Sequence, residues 1–260
     1  MLPNAIVLMI DRLSAGFLGP YGNTWVETPT FNRLAADSLL ADFAFTDTAD
    51  LARVYRSCWQ GSHAVADSSD GLILPQILRD QGVHTVLLTD DPQVAEAESA
   101  EPFADRIQLS DSHCTGAAED PSQTRFAQLM ATAIVRLEDL PEPFCLWIHA
   151  RGMNGLWDAP WEYRNQYADE EDPAPPTFLA PPVERWDGDV DPDLLLGLQQ
   201  AYAGQVTLVD TCLGVFLEAL EHSPSADRTL LAVSSPRGYP LGEHGDVGGA
   251  GPWLFNEQIQ

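Results

Sequence analysis

Asn4-Ala-Ile-Val-Leu-Met-Ile10 carries no charged side chain and is closed abruptly by Asp11-Arg12. A run this short and this uniformly apolar has no polar face to offer solvent. It therefore reads as a strand covered on both sides inside a parallel sheet. Runs of the same kind predict strands at Ala5–Ile10, Leu39–Phe45, Val83–Leu88, Phe144–Ile148 and Thr229–Val233. Helical periodicity separates them, so the chain is expected to be α/β, a mostly parallel sheet sandwiched by helices.

The helices announce themselves by spacing and punctuation. Thr28-Pro29 supplies a capping Thr and a first-turn Pro, and Phe31, Leu34, Ala35 and Ser38 then share one face. A second helix is expected over Leu74–Gln81, stopped by Gly82. A third, Gln123–Leu140, sets Phe126, Leu129, Met130, Ala133, Ile134 and Leu137 on one stripe. A fourth, Asp193–Leu220, does so with Leu198, Ala201, Tyr202, Val209, Leu213, Phe216 and Leu220. These stripes read as core. Residues 157–193 form a long segment rich in Pro, acids and aromatics, either a pinned surface excursion or a wall over a pocket. Within it, Asp169-Glu170-Glu171-Asp172 reads as a solvated loop.

At 260 residues, the chain is expected to form one domain, 1–260. A formal charge of -26 argues against nucleic acid and anionic membrane surfaces as partners. All 13 basic residues are Arg and none is Lys. Cys58, Cys114, Cys145 and Cys212 show no metal or disulfide spacing; Cys58 reads as a packing residue, and Cys145 and Cys212 as buried thiols. No signal peptide precedes the first strand and no apolar run reaches about 18 residues, so a cytoplasmic setting is expected.

In an open α/β sheet, ligands bind beyond the carboxyl ends of the strands. The residues leaving the strands are Asp11-Arg12, Thr89-Asp90-Asp91, His149-Ala150-Arg151 and Ser234-Ser235-Pro236-Arg237. Several further blocks follow in order: Leu18-Gly19-Pro20-Tyr21-Gly22-Asn23, Thr28-Pro29-Thr30-Phe31-Asn32-Arg33-Leu34-Ala35 and Leu241-Gly242-Glu243-His244-Gly245. Together with Asp11 they resemble the sulfatases of the alkaline-phosphatase-like superfamily. The resemblance implies that superfamily's fold, with the C-terminal subdomain absent.

It also implies a divalent metal, a formylglycine nucleophile, and Lys, His and Arg around a sulfate, and here the chain departs from the pattern. The family's second metal-binding Asp is Arg12, and its Ser-Asp-His-Gly or Ser-Asp-Asn-Gly reads Ser235-Pro236-Arg237-Gly238. Pro has no side-chain ligand and Arg no acceptor, so Asp11, Arg12, Pro236 and Arg237 are expected to be a vestigial metal site without metal. Leu51 falls at the nucleophile position, Tyr55 at the signature Arg and Asn154 at the catalytic His. A pseudoenzyme without cofactor follows, with Arg12, Arg53, Arg56, His149, Arg237 and His244 as a candidate pocket for a small anion or sulfated saccharide. Two alternatives stand beside it. One is an active sulfuric- or phosphoric-ester hydrolase using calcium or magnesium, with residues drawn from Asp11, Asp90, Asp91, Cys58 and His244. The other is a protein-interaction module.

Overall fold

Five parallel strands make the main sheet of the computed structural model, which describes residues 2–64, 66, 73–110, 116–188, 190–251 and 253–259. They are β1 (Asn4–Ile10), β2 (His84–Thr89), β3 (Asp105–Gln108), β4 (Phe144–Ala150) and β6 (Thr229–Ser234), in the order β3-β2-β4-β1-β6. A small antiparallel ribbon pairs β5 (Glu184–Arg185) with β7 (Asp246–Val247). The helices are α1 (Pro29–Ala36), α2 (Leu51–Gln60), α3 (Leu74–Asp80), α4 (Pro92–Ala95), α5 (Arg125–Asp139), α6 (Trp161–Asn165), α7 (Pro192–Glu221) and α8 (Asn256–Ile259).

Alternation along the central strands divides the core in two. Ile6, Leu8 and Ile10 of β1 join Phe126, Leu129 and Met130 of α5 and Tyr202, Val209 and Phe216 of α7 on one face. Met9 of the same strand joins Leu51, Tyr55 and Trp59 of α2 and Trp147 of β4 on the other. β4 is buried at all seven positions, which is why it reads as an unbroken apolar run. By length and composition α7 would suffice to cross a membrane, yet 67% of its most apolar window is buried within the protein. It is the central core helix.

One expected strand and one expected helix cap need correction. Leu39–Phe45 is not a strand: Leu39 is 98% exposed and Phe43 81%. A strand needs a neighbour for its main-chain groups, and none lies alongside this stretch among the described residues. The outer edge of β6 is likewise unpaired there, with Leu230 67% exposed. The second correction concerns α1. Thr28 stands at its cap position, but its hydroxyl accepts from the Gly19 N–H (2.9 Å) instead of from the helix.

The cap is delivered by α7. Asp210 accepts from the backbone N–H groups of Thr30 (3.1 Å) and Phe31 (2.9 Å), and burial raises its pKa against those hydrogen bonds. Asp210→Ala should therefore cost about 1–2 kcal/mol of stability. Urea denaturation with an unchanged m-value would check this; a loss indistinguishable from zero would show that α1 does not need the cap.

Residues 157–193 are not a single loop. They contain α6 and β5, and the side chain of Arg164 ties α6 to the chain at Trp157, Pro176 and Phe178. Its guanidinium donates to the carbonyls of Pro176 (2.7 Å), Phe178 (2.8 Å) and Trp157 (2.6 Å). Glu170 and Glu171 are exposed, in keeping with a solvated acidic loop. Cys145 and Cys212 are buried free thiols; Cys58, expected to pack, is exposed on the outer side of α2, and Cys114 lies outside the described residues.

Candidate functional site

β1 and β4 deliver their ends side by side. Asp11 N–H donates to Ala150 O and Met153 N–H to Asp11 O, each at 2.9 Å. Gly152 allows the approach: a Cβ there would lie 2.7 Å from Asp11 O, and its φ is +51°. That requirement was not apparent in the sequence. Asp11 is completely buried beneath this junction.

Its carboxylate is held by Arg237. Nε donates to Oδ1 and Nη2 to Oδ2, both at 2.9 Å, which is bidentate fork geometry. The remaining arm, Nη1, donates to Ala49 O at 2.8 Å, just ahead of α2. Burial pulls the Arg237 pKa down, but Asp11 more than offsets this and leaves it above the ordinary arginine value. Ser235 Oγ donates to Arg237 O (2.7 Å) and steadies the turn that carries it.

Arg12 turns away from Asp11. Its Nη1 donates to Gly248 O, and its guanidinium carbon lies 5.6 Å from the centre of the Tyr239 ring. The backbone of Arg12 is left-handed (φ 62°), and its carbonyl accepts from Tyr202 OH (2.7 Å). A non-glycine residue in that region is uncommon and is held there by its surroundings. Burial, then Arg237, lowers its pKa. The 157–193 segment packs here: Tyr239 lies against Trp157 (5.5 Å between centres), and its hydroxyl donates to Pro182 O.

On the α2 side, Asp50 caps the helix by accepting from Arg53 N–H (2.9 Å), so the first turn starts beside Ala49 and Arg237. Leu51, in that turn, points into the core with Met9 and Leu87. Tyr55, one turn further, is fully buried and meets His149 Nδ1 at 2.5 Å. Burial and then Asp11 push its pKa well up, so the phenol keeps its proton. His149 Nε2 lies 3.8 Å from Asp91 Oδ2 and makes no hydrogen bond at ordinary distance. Burial works against the Asp91 carboxylate, but His149 and the Gln93 N–H outweigh it and hold its pKa low. Asp90 accepts from the Arg151 N–H (2.8 Å), and burial raises its pKa.

The structure thus groups Asp11, Tyr55, Asp91, His149 and Arg237 at the strand ends. It does not assemble the six-residue anion pocket expected from the sequence. Arg56 donates to Ala64 O (2.8 Å), and Arg53 lies exposed on α2. His244 stacks on Phe255 (4.1 Å between centres) near Glu257. Arg56 and His244 each found a nearer acceptor or ring, which spacing along the sequence cannot reveal. Asn154 is half-buried in the turn after β4, and Pro236 is buried next to Arg237.

Among Asp11, Arg12, Pro236 and Arg237 only Asp11 carries a side-chain acceptor. Asp11 accepts from the Arg237 fork at both oxygens, Arg12 and Arg237 carry no acceptor, and Pro236 has no side-chain ligand. Among the described residues no group of three or more His, Cys, Asp or Glu side chains is arranged to hold a metal.

Comparison with known proteins places the fold. Human iduronate 2-sulfatase is 25% identical across 94% of this chain, which spans only 56% of that relative's length. The phosphonate monoester hydrolase of Agrobacterium radiobacter shares the fold with a TM-score of 0.79 at 17% identity, covering 99% of this chain and 66% of that one. A protein whose structure is of a complex with its substrate D-glucosamine-2-N,6-O-disulfate gives a TM-score of 0.75 at 17% identity, over 100% of this chain and 70% of that one. The sulfatase family profile matches residues 3–260, so the chain belongs to the sulfatase family.

Proposed function

We propose that this chain is a sulfatase-family protein that does not hydrolyse esters, with a small anion or a sulfated saccharide as its ligand class. One observation carries the first half: the position expected for the nucleophile is Leu51, buried in the core and without a heteroatom. The bidentate pairing of Asp11 with Arg237 supports it. The ligand class draws on the relative in complex with a disulfated glucosamine and on Arg53, which faces solvent close to the start of α2. A single-domain, cytoplasmic protein belongs to the same reading.

The test is turnover of 4-nitrophenyl sulfate and 4-nitrophenyl phosphate with calcium or magnesium present, paired with calorimetric titration of the disulfated glucosamine. We expect no rate above background and a measurable binding heat that Arg53→Ala weakens. Hydrolysis would remove the non-hydrolytic reading, and a flat titration would remove the ligand.

Family membership favours a second reading, an active sulfuric- or phosphoric-ester hydrolase with residues from Asp11, Asp90, Asp91, Cys58 and His244. Activity abolished by Cys58→Ala would identify it. A third reading, a protein-interaction module, rests on the exposed apolar side chains Leu39, Phe43, Leu230 and Trp253. Co-purification would separate it from a small-molecule binder.

A further inference from the structure

A fully buried carboxylate such as Asp11 must be neutralised, by a proton, a metal ion or a cationic side chain. Here both oxygens are taken by one guanidinium, and the same head reaches the Ala49 carbonyl. The carboxylates of Asp91 and Asp50 act on it through space, in the same sense as Asp11. Three pieces of chain meet on this group: the end of β1, the segment leading into α2, and the turn after β6. A hard divalent ion held at the ends of these strands would collect oxygen ligands from the same directions.

We propose that the guanidinium of Arg237 is the resident cation of this fold, standing structurally where a divalent ion would, so that folding depends on Arg237 and not on metal. The inference rests on the family reading of the site given above. Arg suits the role because its planar fork meets both carboxylate oxygens and still has an arm for Ala49; the point charge of Lys would not. It also cannot be removed by a chelator or by any ordinary pH.

Thermal unfolding of the full chain tests this. The unsubstituted protein should keep its Tm to within about 1 °C in EDTA and in millimolar calcium or magnesium. Arg237→Met should lower Tm by roughly 10 °C, because it strands a buried charge. Asp11→Asn in the same chain should recover about half of that loss or more, since a neutral amide needs no counter-ion. The double variant decides the matter even if Arg237→Met alone does not fold. A Tm that rises with calcium or magnesium in the unsubstituted protein, or a double variant no more stable than Arg237→Met, would overturn the proposal. Ester turnover without a metal effect on Tm would instead remove the non-hydrolytic reading and leave this one standing.

Discussion

Arg164→Met should lower the stability of the fold by about 3–4 kcal/mol, the sum expected for leaving buried carbonyls without donors. Arg164 is completely buried on α6, and its guanidinium is the shared donor for the carbonyls of Trp157, Pro176 and Phe178. It also lies 5.5 Å from the Trp161 ring and 5.7 Å from that of Phe178. Burial pulls its pKa down to about 10 while Asp158 works in the opposite direction. Its charge is thus an expense to the fold, and hydrogen-bond geometry is its contribution. Met fills most of the volume and serves no carbonyl; Lys brings charge but not the fork, so Arg164→Lys should lose more than half as much. Calorimetry gives the magnitude, and hydrogen exchange should rise selectively over residues 157–186. Uniform exchange across the sheet would mean that Arg164 supports the core generally and does not pin this segment.

Trp59→Ala is the second large effect, about 3–5 kcal/mol. Trp59 is 1% exposed at the heart of the smaller core, with ring centres 4.9 Å from Tyr55, 5.2 Å from Phe103 and 5.7 Å from Trp147. It fixes the rotation of α2 and so keeps Leu51 turned inward. Its indole N–H is buried without an acceptor, a cost that Phe would not carry. Trp59→Phe should therefore be far milder than Trp59→Ala, near 1 kcal/mol. Denaturant unfolding of both variants distinguishes packing from hydrogen bonding; equal losses would mean the indole N–H has a partner after all.

Much of the fold was legible because its signals are local. β1, β2, β4 and β6 and the long helices α5 and α7 fall where apolar runs and periodicity placed them. β3 was missed because Asp105–Gln108 is short, mostly exposed and without apolar alternation. Leu39–Phe45 has the pattern of a strand but no partner to make it one. The cap on α1 was assigned to its neighbour in sequence, while the carboxylate in fact comes from Asp210 on α7.

For the site, the sequence by itself determined what each side chain can supply: no hydroxyl or thiol on Leu51, no acceptor on Arg12 or Arg237, no imidazole on Asn154, and no lysine anywhere. Chemistry that depends on residue type can be read without coordinates. Only the tertiary structure decided between the two arginines. Arg237 closes on Asp11, while Arg12 is carried by its left-handed backbone toward Gly248 and Tyr239. The same folding directed Arg56 and His244 to partners outside the strand-end cluster. The reason is geometric: a charged group buried by folding takes the acceptor that its backbone direction brings within about 3 Å, and that direction is set by chain far away in sequence.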